Sequence, residues 1–195
     1  MNESGVLVVG AGPVGLTAAL ELARHGVRPR IIDANDGPTA LSKALIIWRR
    51  TLKGLDAEIP FQTFLQGHCE PHAARLFASG KELAHIDLIE GEPASPPGIP
   101  IGVLSPQSDT EQLLIEALAE HGITVERSTR LESFIETGKG VDVTIESSTG
   151  SEEGRVGWVL GCDGGHSTVR HGLGIDFPGK TNKHAWLISD VEIDQ

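Results

Sequence analysis

The 195-residue sequence has little cysteine, few basic side chains and no long apolar run. Two cysteines, Cys69 and Cys162, are too few for a disulfide framework, which favours a reducing compartment. Lysine and arginine number 16 against 27 aspartates and glutamates, and a formal net charge of −11 argues against general affinity for nucleic acid or anionic membranes. No run approaches the roughly 18 apolar residues of a transmembrane helix, and no basic leader precedes the first apolar run. We therefore expect a cytoplasmic protein without nucleic-acid or membrane partners.

The sequence also offers little for a metal. His68, Cys69 and His72 lie close together, but no fourth ligand follows at a zinc-type spacing, so we expect no metal site. With 39% apolar residues the chain can fill the core of one sizeable domain. The stretch 91–100, GEPASPPGIP, predicts a crossing loop because its prolines and glycines oppose regular structure.

The first motif is VLVVGAGPVG at residues 6–15, a β-branched run that leads directly into G-x-G-x-x-G. In this pattern Gly10 permits a tight turn from strand to helix, Gly12 lets the backbone approach a pyrophosphate, and Gly15 allows close packing of helix on strand. A helix starting near Pro13 would direct its free N–H groups and positive dipole end at the phosphates.

The residues that follow complete a dinucleotide-binding pattern. Residues 14–25 are apolar except for a narrow stripe, which predicts a mostly buried helix ending at Gly26. A second apolar run, 27–32, ends in Asp33, roughly 20 residues beyond the glycines, where a carboxylate accepts ribose hydroxyl bonds. Read alone, the glycines could be mere turn and packing residues and Asp33 a solvated strand end. The ordered combination favours the nucleotide site.

Further along, the pattern predicts an α/β domain with parallel strands and antiparallel additions. Ser108 and Glu111 resemble a capping box for a helix that ends near Gly122. Ser79 and Gly80 indicate a hairpin turn. The predicted elements are a helix at 49–55, hairpin strands at 74–78 and 82–88, and strands at 123–126, 130–137, 141–146 and 156–160.

A second motif, GCDGGHSTVR at 161–170, places small residues and an acid directly after the last of these strands. Ser167 could cap a short helix ending near Gly172, and Asp163 could be held by neighbouring backbone groups. By spacing alone this segment is only a turn that carries a carboxylate.

Taken together, these pieces resemble the FAD-dependent aromatic-ring hydroxylases, the class A flavoprotein monooxygenases of the p-hydroxybenzoate hydroxylase type. The resemblance rests on GAGPVG with the strand-terminal acid, SKAL at 42–45 with RRTL at 49–52, PQSDTEQLL at 106–114, and GCDGGHSTVR followed by GLGIDFPG at 172–179. It implies a Rossmann-like FAD-binding fold with a parallel sheet, an inserted antiparallel hairpin and a β-meander over residues 1–180. Residues 181–195, with AWLISDVEI at 185–193, would form the first strand of a substrate-domain sheet.

The resemblance also implies a set of cofactor-binding residues. Lys43 stands where the family usually has Arg, and an ammonium cannot reproduce a bidentate guanidinium. His166 likewise replaces a common Arg, which bears on NADPH binding because histidine is only partly charged near neutral pH. The implied residues are Gly10, Gly12, Pro13, Val14 and Gly15 at the FAD pyrophosphate, Asp33 on the adenosine ribose with Ala34 beside it, and Lys43, Arg50, Gln107, Asp163 and Gly164.

The implied activity is monooxygenation of a phenolic or other aromatic substrate with FAD and NADPH or NADH, and no side chain here is expected to act as acid or base. Because family members continue for at least as many residues again, we expect an N-terminal portion that is a poor hydroxylase on its own and that could self-associate through 185–193. The alternatives are a non-catalytic FAD- or nucleotide-binding module, an NAD-dependent dehydrogenase and a flavin reductase.

Overall fold

A computed structural model describes residues 5–39, 46–89, 99–180 and 183. The chain combines helices with parallel and antiparallel strands, which is the α/β class that the sequence predicts. In chain order the elements are β1 Val6–Val9, α1 Pro13–Arg24, β2 Arg30–Ile32, β3 Ile46–Trp48, α2 Arg49–Leu55, α3 Phe61–Leu65, β4 Ala73–Ala78, β5 Lys81–Asp87, β6 Gly102–Leu104, α4 Gln107–Glu120, β7 Val125–Glu126, β8 Thr129–Thr137, β9 Gly140–Ser147, β10 Gly150–Val156, β11 Trp158–Gly161 and α5 Thr168–Gly172.

The central sheet has the order β11-β1-β2-β7, and all of its described pairings are parallel. Alternate residues of β1 face opposite sides, as the two-residue period of a strand requires. Val8 packs into a core with residues of α1, α2 and α4, whereas Leu7 and Val9 pack against the sheet formed by β8, β9 and β10. Because the central strands are parallel, their carboxyl ends all lie at one edge of the sheet.

Antiparallel additions surround the central sheet. β8, β9 and β10 form a meander, β4 and β5 form the predicted hairpin, and β3 pairs with β6. Arg30 of β2 joins the central sheet to the meander by donating to Glu126 at 2.8 Å and to Glu152 at 2.9 Å. The hydrogen bond to Glu126 is the largest of the causes that raise the pKa of Arg30, which fixes its positive charge.

Several short elements were absent from the sequence prediction. β3, β6 and α3 span only three to five residues each, too few for a recognisable period. β10, with the sequence GSEEGRV, is almost wholly exposed and is ordered by its pairing with β9 rather than by burial. The predicted strand 156–160 is divided, since Val156 ends β10 and β11 begins at Trp158.

The predicted capping box is wrong. α4 begins at Gln107, one residue before Ser108, and its N-cap residue is Pro106, which has no side chain to accept a bond. The Ser108 hydroxyl donates instead to Asp109 Oδ1 at 2.9 Å. Glu111 is turned inward, with 2% of its surface exposed. The helix itself, which ends before Gly122, is confirmed.

Three predictions fall outside the described residues. These are the placement of Lys43, the strand at 185–193 with self-association through it, and most of the loop at 91–100. Within the described ranges, none of the helices combines the length and apolar character needed to cross a membrane.

The core contact of α3 gives a direct test of this fold. Phe64 is fully buried in the cluster that also holds Leu52 and Val103. We expect Phe64→Ala to lower the free energy of unfolding by about 3–5 kcal/mol, because it removes apolar contacts and leaves a cavity. Urea unfolding followed by circular dichroism measures this loss. The control is Phe77→Ala on β4, where the ring is 61% exposed and the loss should stay below about 0.5 kcal/mol. Equal losses in the two variants would contradict the described packing.

Candidate functional site

A groove of about 550 Å³ lies along the carboxyl ends of the central strands. We call it the carboxyl-edge groove. Each central strand contributes the segment that follows it, and α4 contributes its first turn. The lining consists of residues 9–12 after β1, 32–39 after β2, Arg127 and 129–131 after β7, 162–164 after β11, and Gln107, Glu111 and Thr168. Its volume is in the range of small-molecule and cofactor sites, which is about 300–1,000 Å³.

Two glycines of the first motif are required by the protein itself. Gly10 has φ +99°, and a Cβ atom there would lie 2.5 Å from the carbonyl oxygen of Cys162. A Cβ at Gly15 would lie 1.9 Å from the carbonyl oxygen of Gly10. Both positions therefore exclude any side chain because backbone atoms occupy the space.

Gly12 differs from both. Its φ of −78° is open to any residue, and a Cβ built there meets no atom within 4 Å. Nothing in the described protein requires glycine at this position. The space beside Gly12 opens into the carboxyl-edge groove, where a side chain would keep a ligand away from the backbone.

The amino end of α1 faces the same space. Its N-cap residue is Gly12, which supplies no side-chain bond, and its first turn carries no acidic residue. Pro13 stands at the start of the helix, where its missing N–H costs nothing. Val14 is 70% exposed and Gly15 is buried. The free N–H groups of this turn and the helix dipole make a site for an anionic group such as a pyrophosphate.

Asp33 is buried at the end of β2 and is hydrogen-bonded on both oxygens. Oδ2 accepts the N–H of Ala11 at 2.6 Å, and Oδ1 accepts the backbone and side-chain N–H groups of Asn35 at 2.8 Å. It is 6% exposed, so the alternative that it is a solvated strand end is wrong. One lone pair of Oδ2 remains for a ribose hydroxyl. Ala34, the next residue, lines the groove with its side chain exposed.

The second motif folds as its residue types predict. Ser167 caps α5 by accepting the N–H of Arg170 at 2.9 Å, and its hydroxyl donates to Asp163 Oδ1 at 2.5 Å. Asp163 Oδ2 accepts the N–H of Thr168 at 2.6 Å, which confirms that backbone groups hold this carboxylate. Gly164 has φ +78° and lines the groove.

Gln107 and Glu111 bring α4 to the groove. Gln107 Nε2 donates to Glu111 Oε1 at 2.8 Å, and the other oxygen of Glu111 accepts the N–H of Thr39 at 3.1 Å. The spacing of Ser108 and Glu111 had indicated a helix cap rather than this role for Glu111. The available signal was the position of Glu111 on the buried face of α4, beside Thr110 and Leu114, which indicates a carboxylate turned towards the protein interior.

Not all predicted residues meet at the groove. The structure brings together Gly10, Gly12, Asp33, Ala34, Gln107, Asp163 and Gly164 as lining residues. The lining does not include Pro13, Val14 and Gly15, which form the first turn of α1 directly after Gly12. It does not include Arg50 either, which lies exposed on α2. Arg127, which was not among the predicted residues, lines the groove from the end of β7. Since β7 pairs with β2, a cation directly after that strand was the available signal.

Cys162 lines the groove and is half-buried, whereas Cys69 is exposed. Burial, with a smaller contribution from the negative charge of Asp163, raises the pKa of the Cys162 thiol. The thiol therefore stays protonated near neutral pH and adds no charge beside the glycine motif. No group of three His, Cys, Asp or Glu side chains able to hold a metal ion occurs in the part of the chain described.

Comparisons with known proteins agree with this geometry. The family model described as FAD binding domain matches residues 3–195. A 6-methylpretetramide 4-monooxygenase from Streptomyces rimosus is 35% identical over 97% of this chain and 33% of its own length.

Two solved structures show the same fold. The flavin-dependent monooxygenase PieE, in complex with FAD and substrate, superposes with a TM-score of 0.79 at 29% identity, over 90% of this chain and 32% of that one. Aklavinone-11 hydroxylase, in a ternary complex with FAD and aklavinone, also gives 0.79 at 29% identity, over 89% and 36%.

The chain thus spans about a third of the length of these relatives. The FAD bound in these two structures and the family match over residues 3–195 confirm the FAD expectation and oppose the alternative of a plain NAD-dependent dehydrogenase. The chain belongs to the FAD binding domain family, and the relatives that it matches include flavin-dependent monooxygenases.

Proposed function

We propose that this chain holds FAD in the carboxyl-edge groove as the cofactor-binding portion of a monooxygenase that uses NADPH or NADH and acts on small aromatic substrates. The observation that carries the proposal is the open space at Gly12, a glycine that the protein's own packing does not require. FAD and substrate in the solved structure of PieE support the same assignment.

The residues of the groove fit the parts of FAD. N–H groups of the first turn of α1 would meet the pyrophosphate, and Asp33 Oδ2 would accept a hydroxyl of the adenosine ribose. Asp163 and Gly164 follow β11, which lies on the opposite side of β1 from β2, and together with Gln107 of α4 they would hold the flavin-bearing half. When bound, FAD supplies the redox chemistry that couples NAD(P)H to O₂, and the protein supplies binding and orientation.

Lys43 and Arg50 remain proposed contacts. Arg50 is exposed on α2, so it would reach FAD only through its long side chain. We also propose that residues 1–180 form the cofactor domain, that 181–195 begin the substrate domain, and that the protein works in the cytoplasm. NADPH oxidation that is stimulated by an aromatic substrate would contradict the alternative of a non-catalytic binding module.

Gly12→Val is the first test of the site. The valine side chain would occupy the space through which the pyrophosphate approaches the backbone. We expect the Kd for FAD to rise roughly a hundredfold, which corresponds to about 2.7 kcal/mol. The measurement is quenching of flavin fluorescence on binding.

Folding and binding are separated by two further measurements. The thermal midpoint of Gly12→Val without FAD should stay within about 2 °C of the wild type, because a Cβ atom at this position has no protein atom within 4 Å. Gly54→Val is the matched control, since Gly54 on α2 is also open and lies outside the groove lining. Unchanged FAD affinity in Gly12→Val would refute the assigned site.

Alkylation of the two cysteines tests where FAD lies. We expect iodoacetamide to modify Cys69 faster than Cys162 near neutral pH, because Cys69 is exposed and the raised pKa of Cys162 leaves less thiolate. Bound FAD should slow the modification of Cys162 further and leave that of Cys69 unchanged. Mass spectrometry of the peptides gives both rates from one sample. Equal protection of both thiols, or none, would contradict binding in the carboxyl-edge groove.

A further inference from the structure

We propose that Arg127 recognises the adenine base of the cofactor and gives the groove its preference for an adenine nucleotide. The inference rests on the proposed binding of FAD in the carboxyl-edge groove. Arg127 belongs neither to the glycine motif nor to the strand end that carries Asp33, so this ligand contact is additional to theirs.

The order of the strands indicates that Arg127 lies where the adenine base of a bound nucleotide would be. The strands run β1-β2-β7, with the pyrophosphate-binding turn after β1 and Asp33 after β2. A nucleotide whose diphosphate lies at the first strand and whose ribose lies at the second must extend its base towards the third. Arg127 is the first residue after β7 and lines the groove there.

The side chain of Arg127 is held in place at one nitrogen. Nη1 donates to the carbonyl oxygen of Gly37 at 3.3 Å and lies 3.8 Å from Asp33 Oδ1. The side chain is 19% exposed. These contacts fix the guanidinium beside the carboxylate that would bind the ribose.

The other terminal nitrogen has no such contact. Nη2 is buried and has no hydrogen-bond partner in the described residues. A buried donor without an acceptor destabilises a protein, and more so when it is charged. An acceptor supplied by a ligand in the groove would remove this penalty.

Adenine can supply the hydrogen-bond acceptor that Arg127 Nη2 lacks. Its ring nitrogens accept hydrogen bonds, and its flat face can stack on a planar guanidinium. A lysine could supply the positive charge but neither the second fixed donor nor the planar surface. The diphosphate is an unsuitable partner, because its site lies at β1, with β2 and Asp33 in between.

The experiment compares two nucleotides that share ribose and diphosphate and differ in the base. ADP or UDP is titrated against bound FAD, and the change in flavin fluorescence gives the Kd of each nucleotide. The proteins compared are the wild type, Arg127→Leu, Arg127→Lys and Arg155→Leu. Arg155 is the control because it is an exposed cation on β10, bonded to Asp142 at 2.5 Å and outside the groove lining.

We expect the wild type to bind ADP more tightly than UDP. Arg127→Leu should weaken ADP and FAD by about tenfold or more and UDP by less than about threefold, since a hydrogen bond to a charged group contributes roughly 1.5–3 kcal/mol. Arg127→Lys should also lose the preference for ADP. Arg155→Leu should behave as the wild type.

The outcomes separate the two claims. A wild type that does not bind FAD would overturn the proposed function and this inference together. FAD binding with equal weakening of ADP and UDP in Arg127→Leu would overturn only the inference, because that pattern indicates a charge or loop effect. If Arg127→Leu does not fold, Arg127→Lys decides alone, and a retained preference for ADP in that variant refutes base recognition.

Discussion

The junction of β1 and α1 is possible only because two glycines lack a side chain, Gly10 in the turn and Gly15 in the first turn of the helix. A Cβ at Gly10 would collide with the carbonyl of Cys162, and one at Gly15 with the carbonyl of Gly10. The close backbone contacts at Gly10 and Gly15 pack β1 and α1 against the end of β11. The N–H of Cys162 also donates to the carbonyl oxygen of Val9 at 2.8 Å. The direction of α1 follows from this contact, and with it the direction in which its free N–H groups point. The cofactor site therefore depends on backbone packing before any functional side chain contributes.

An acidic chain can bind an anionic cofactor here because backbone groups, rather than cations, face the expected pyrophosphate. Three of the acids that line the groove accept hydrogen bonds from the protein itself. Asp33 accepts hydrogen bonds from Ala11 and Asn35. Asp163 accepts them from Ser167 and Thr168, and Glu111 accepts them from Gln107 and Thr39. Each carboxylate thus fixes a loop of the groove, and its charge is offset by hydrogen bonds rather than directed at the ligand.

The elements that could be predicted from the sequence depend on local signals, whereas those that could not depend on contacts between distant parts of the chain. The β1-α1-β2 unit could be predicted because glycine, helix period and a strand-terminal acid are local signals. β10 and the β3-β6 pair could not, since their order comes from partners distant in the chain. The cap at Ser167 was predicted, whereas Glu111 was misassigned because its spacing to Ser108 matched a capping box whose helix in fact begins one residue earlier. Arg127 was missed because its importance depends on β7 lying beside β2, about a hundred residues away in sequence.

The groove is largely organised by the protein's own hydrogen bonds, and this bears on how tightly it can bind a ligand. Loops already tied through Asp33, Asp163 and Glu111 lose little conformational freedom on binding, so less of the interaction energy is spent on ordering them. Arg127 is the exception, since its Nη2 is buried without an acceptor in the described residues. Such a group raises the free energy of the empty protein more than that of the complex. The difference appears as affinity and, because the ligand binds only the folded chain, also as a higher unfolding temperature that increases with the concentration of free FAD.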